Sequence, residues 1–128
     1  MKIREIHHKL TERTKQGDVT MRPDRETVLP EEFDDSVVEI VHLRNRAIFR
    51  SMIGPREQLV RDRVAMLEES GVQVEDIGHL QTLPIDKTRR IIGGALAEEC
   101  VVDRAEFLSK NGINVIVDNA LTIDEYGD

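Results

Sequence analysis

The sequence predicts an α-dominated α+β domain of three to four helices packed with a small sheet. Two observations carry that prediction. Glu57–Val74 and Glu98–Val115 align without a gap at an offset of 41 residues, with identities at Glu57/Glu98, Val60/Val101, Asp62/Asp103, Arg63/Arg104, Leu67/Leu108, Gly71/Gly112 and Val74/Val115. Each window reads as an amphipathic helix, a glycine stop and a short apolar strand, so one helix–turn–strand unit is expected twice, at 57–74 and 98–115. The second observation is length. A chain of 128 residues suits one compact domain that buries its core without disulfides or metal, which assigns 1–128 to a single unit.

In chain order, Lys2–Gln16 carries Ile3, Ile6 and Leu10 at helical spacing and meets a stop at Gly17. An N-terminal helix over 1–17 is expected, with a stripe too thin to hold itself without a docking surface. Asp18–Met21 and Glu26–Leu29 flank Arg22-Pro23-Asp24-Arg25, a turn in which proline presets φ, so 18–29 reads as a hairpin. Pro30, Glu31 and Glu32 resemble the opening turn of a helix, expected to run to about Ile53 and break at Gly54-Pro55. Pro55 then opens a helix through Ser70, with Gly71 as its stop and Val72–Val74 as a strand. A further helix is expected over Ile85–Asn111, followed by Gly112 and a β-branched strand at Ile113–Val117. On this reading 30–128 forms a helix–strand core around the repeat. Its two strands are too few for a sheet unless the hairpin or a neighbouring subunit adds to them.

Charge and composition exclude several functions. The net charge is −7, with the first 63 residues at +1 and the remainder at −8. An acidic second half opposes attraction to phosphate backbones, and a chain with no Trp and one Tyr offers few stacking surfaces, so nucleic acid is a disfavoured partner. The single Cys100 forms no internal disulfide, and no long apolar segment is present, which points to a cytoplasmic protein with no membrane partner. His7, His8, His42, His79 and Cys100 share no ligand spacing, so no metal and no cofactor is expected.

Three arginines stand out as candidate site residues. Arg63 falls within the apolar arc of Val60, Val64 and Leu67, Arg104 within that of Val101, Ala105 and Leu108, and Arg44 among Val37, Ile40, Val41 and Ile48. Guanidiniums in such positions bind an anion, form ion pairs across an interface, or lay their stems along the core with the head in water. Cys100 aligns with Leu59, which makes it a packed thiol. Gly93-Gly94 lacks phosphate-loop spacing and, with Ala97, supplies a small-residue face for a closely approaching backbone. No catalytic constellation is visible, so the sequence leans away from an enzyme. The expected function is a non-catalytic interaction or assembly subunit that forms a homo-oligomer or joins another protein subunit. The alternatives are a small anionic-ligand-binding protein or enzyme using Arg44, Arg63 and Arg104, and an Arg-dependent nucleic-acid-binding regulator.

Overall fold

A computed structural model describes residues 19–43 and 54–124. The sheet is larger than the sequence suggests. Five strands, β1 (Val19–Arg22), β2 (Ser36–Val41), β3 (Gln73–Ile77), β4 (Arg89–Ala95) and β5 (Val115–Ile123), lie in the order β1-β5-β4-β2-β3, and every pairing is parallel. The described residues hold two α-helices, α1 (Pro55–Glu69) and α2 (Cys100–Lys110), and one 3-10 turn at Pro30–Phe33. The expectation of an α-dominated fold with three to four helices is therefore corrected. The proposed N-terminal helix over 1–17 lies outside the described residues.

The errors share one physical cause. Strands buried on both faces of a parallel sheet read as continuous apolar runs, which a helical stripe also satisfies over a few residues. The predicted helix from Pro30 contains instead the 3-10 turn and β2, whose six residues are all buried. Val37, Val38, Ile40 and Val41 are β-branched, which favours the pleated conformation over a helix. The predicted helix over Ile85–Asn111 contains β4, and the true helix begins only at Cys100. Val19–Arg22 is extended as expected, but it pairs parallel with β5 (Val19 opposite Val115) and not in a hairpin with residues 26–29.

The duplication of a helix–turn–strand unit is not upheld either. Both windows do end a helix in the same way. Val72 N–H donates to Leu67 and Gly71 N–H to Glu68, while Ile113 N–H donates to Leu108 and Gly112 N–H to Ser109. That is the Schellman pattern, with the glycines at φ +89° and +78°. The helices differ in length, and α1 leads to an edge strand whereas α2 leads to an interior one. They also cover opposite faces of the sheet. Val60, Val64 and Leu67 of α1 pack with Val38, Ile40 and Ile91, whereas Val101, Ala105 and Leu108 of α2 pack with Val41, Ile92 and Val117. The likeness reflects a shared chemistry of helix termination before a strand.

Between the pairs Ile92–Val117 and Gly94–Thr122 the register of β4 and β5 slips, so Gly93 alone faces Asp118–Leu121. The bulge sits directly on Gly93, where a Cβ would lie 2.5 Å from Leu121 Cβ. The expected close backbone approach at Gly93-Gly94 is therefore present, within a strand instead of a helix. No described helix is long and apolar enough to cross a membrane.

Candidate functional site

The connections leaving β2 and β4 diverge, since β2 leads to the neighbouring edge strand β3 and β4 leads the other way to β5. In open parallel sheets such a switch in direction opens a crevice outside the carboxyl ends of the strands, where ligands collect. At this end of the molecule the loop after β1, the first turn of α1 and the bulge of β5 meet.

The bulge frees backbone carbonyls from the ladder, and buried carbonyls need donors. Two α1 arginines supply them. Arg56 donates Nε–H to Thr122 O at 2.8 Å and Nη2–H to Asn119 O at 3.0 Å. Arg63 donates Nη1–H to Ala120 O at 2.7 Å and to Arg25 O at 2.8 Å, with Nη2–H to Glu26 O at 3.1 Å. Helix α1 is thereby stitched to both β5 and the loop after β1.

These contacts crowd three guanidiniums together. Burial, then the neighbouring Arg25 and Arg63 charges, pull Arg56 down to about 10, against the opposing pull of Glu26 and Asp124. Arg25 Nε is buried and has no hydrogen-bond partner among the described residues. A hollow of about 300 Å3 lies beside them, lined by Arg25, Glu26, Pro55, Arg56 and Leu59. Gly54 precedes α1 and has no side chain to cap it, so the first turn adds its partial positive charge to the same place. Glu57, in that turn, is engaged with Arg61 at 3.0 Å.

The arginines singled out by sequence do not converge. Arg44 lies outside the described residues. Arg63 borders the site but spends its Nη groups on carbonyls, and Arg104 lies on the opposite face of the sheet. There it forms a buried bidentate pair with Glu39 of β2 (Nε to Oε1 2.6 Å, Nη2 to Oε2 2.9 Å) and donates Nη1–H to Leu80 O and Thr82 O. Its guanidinium also lies 5.8 Å from the Phe107 ring centre. Arg90 adds a second cation 3.4 Å from Glu39.

Arg25 and Arg56 were missed as a pair. Arg56 did carry one signal, because a cation at the second position of a helix opposes the dipole and calls for a compensating partner. Cys100, the first residue of α2, is half-buried, and burial pushes its thiol up from the ordinary range. Comparison with protein-family models, with curated proteins and with solved structures finds no match to this chain.

Proposed function

We propose that the protein binds a small molecule bearing a carboxylate or phosphate, held by Arg25 and Arg56 at the open first turn of α1. The carrying observation is that Arg25 and Arg56 line one hollow at the carboxyl edge of a parallel sheet, with Arg63 near enough to add its charge to theirs. Like charges that Glu26 and Asp124 offset only in part raise the free energy of the empty site, and an oxyanion relieves that repulsion. Arginine donates two parallel bonds to such a group, and the helix N-terminus adds its partial charge. Pro55 and Leu59, the latter exposed, offer an apolar wall to the rest of the ligand. This takes up the anionic-ligand alternative weighed from sequence, not the assembly subunit expected first, and moves it from Arg44, Arg63 and Arg104 to other arginines.

Thermal unfolding in inorganic phosphate, acetate and chloride at equal ionic strength tests the reading. Phosphate or acetate should raise the midpoint saturably by about 2–8 °C at saturation. Arg56→Met and Arg25→Met should each abolish that increment, while Arg89→Met, at a half-buried position remote from the hollow, retains it. Midpoints in phosphate and acetate no different from those in chloride would sink the proposal.

Self-association is the second reading. Its first support, a sheet too small to stand alone, does not hold for a five-stranded sheet within one chain. What favours it now is a pair of exposed apolar side chains, Leu83 and Ile85, beside the edge strand β3.

A further inference from the structure

A second hollow, of about 370 Å3, lies over β1, β5 and β4 beside the 3-10 turn and shares no lining residue with the arginine site. Its apolar wall is Phe33, Ile91 and Ile116, and its polar end is Arg22, Glu32 and Asp118. That volume falls in the range of small-molecule sites, and an apolar wall with a few converging polar groups is their usual composition.

The polar end is short of donors. Each nitrogen of Arg22 is already engaged: Nε–H donates to Glu32 at 3.0 Å, Nη1–H to Asp118 Oδ1 at 3.2 Å and Nη2–H to Thr27 at 3.1 Å. Asp118 is completely buried, and its Oδ1 also accepts from Ala120 N–H at 2.9 Å. Its Oδ2 has no hydrogen-bond partner among the described residues. One guanidinium thus faces three carboxylates, since Asp24 lies 3.6 Å from it as well. A buried carboxylate with an unused oxygen is costly, and burial pushes the Asp118 carboxyl above its ordinary range.

We infer that this hollow binds a small primary ammonium with a short apolar body, its NH3+ placed against Asp118 and Glu32 and its hydrocarbon on Phe33, Ile91 and Ile116. An ammonium brings three donors and one positive charge to a place with spare acceptors and excess negative charge. A carboxylate or phosphate would meet repulsion at the same position. An alcohol would supply a donor without the charge.

The test is a titration of the full chain with n-hexylammonium, n-hexanol and hexanoate, followed by the methyl NMR signals of Ile91 and Ile116. Hexylammonium should saturate both signals and bind at least about tenfold more tightly than hexanol, as a charge-assisted hydrogen bond requires. Hexanoate should not bind. Asp118→Asn keeps the shape and removes the charge, and should weaken hexylammonium about tenfold while leaving hexanol unchanged. Thr20→Trp fills the hollow from the exposed edge strand without replacing a core side chain, and should abolish binding of both even if Asp118→Asn fails to fold. Equal affinity for hexylammonium and hexanol, or unsaturable shifts, would overturn the inference.

Discussion

The buried Glu39–Arg104 pair shows how far one residue can be read from a sequence. The position of Arg104 inside an apolar arc was legible, because helical periodicity fixes which side chains share a face. Its partner was not, since Glu39 sits 65 residues away on a strand whose apolar run resembles a helix. Breaking such a pair strands a buried charge, since Arg104 without Glu39 keeps only carbonyl acceptors and Glu39 without Arg104 keeps only Arg90, at 3.4 Å. Arg104→Met should therefore cost about 3–5 kcal/mol in urea unfolding, and Glu39→Met a similar amount. The double Glu39→Met/Arg104→Met variant removes both charges and should cost much less than the two single losses together. A loss under about 1 kcal/mol for Arg104→Met alone would show that its head is solvated and the pair inconsequential. The same distance effect hid Arg25 and Arg56. Neither belongs to a periodic pattern, and each is placed by backbone carbonyls or helix ends far along the chain.

Among the elements, the stops were easier to read than the starts. Gly71 and Gly112 both fall at helix ends, because a residue at positive φ is what a Schellman cap needs there. The starts of β2 and β4 were hidden, because fully buried strands lose the alternation that marks a half-exposed one. Gly94 separates two reasons for glycine. At Gly71 an added Cβ meets nothing within 4 Å, so only the φ of +89° is at issue. At Gly94 the φ is +100° and a Cβ would fall 2.2 Å from Val41 O and 2.4 Å from Val41 N, inside the β2–β4 contact. Gly71→Ala should therefore cost about 1 kcal/mol. Gly94→Ala should cost more than about 3 kcal/mol or prevent folding, because backbone on a central strand has little room to move. Denaturant midpoints of the two variants measure this, and equal costs would mean that the central strands separate easily.

At the scale of the whole molecule, the architecture was not legible in the sequence. Two apolar clusters sandwich the sheet, one under each helix. The number of strands was underestimated, which made a partner subunit look necessary. Self-association now turns on Leu83 and Ile85, and light scattering of the wild-type chain against Leu83→Ser/Ile85→Ser tests it. An assembly through this loop predicts a wild-type mass above one chain that falls to the monomer in the variant, with little change in unfolding midpoint. A monomeric wild type at micromolar concentration rules that surface out.

The pairing of β1 with β5 sets the order in which a growing polypeptide can acquire this architecture. Strand β1 contacts no other strand, and its register partners, such as Val115 for Val19 and Asp118 for Arg22, are made 96 residues later. β5 is also the link between β1 and β4. During vectorial synthesis β1 therefore waits, unpaired, until β5 has left the ribosome, and loop-closure entropy is paid late. The interval exposes β4's inner edge along Ile91 and Ile92, so the nascent chain is most prone to aggregate in the period just before β5 emerges.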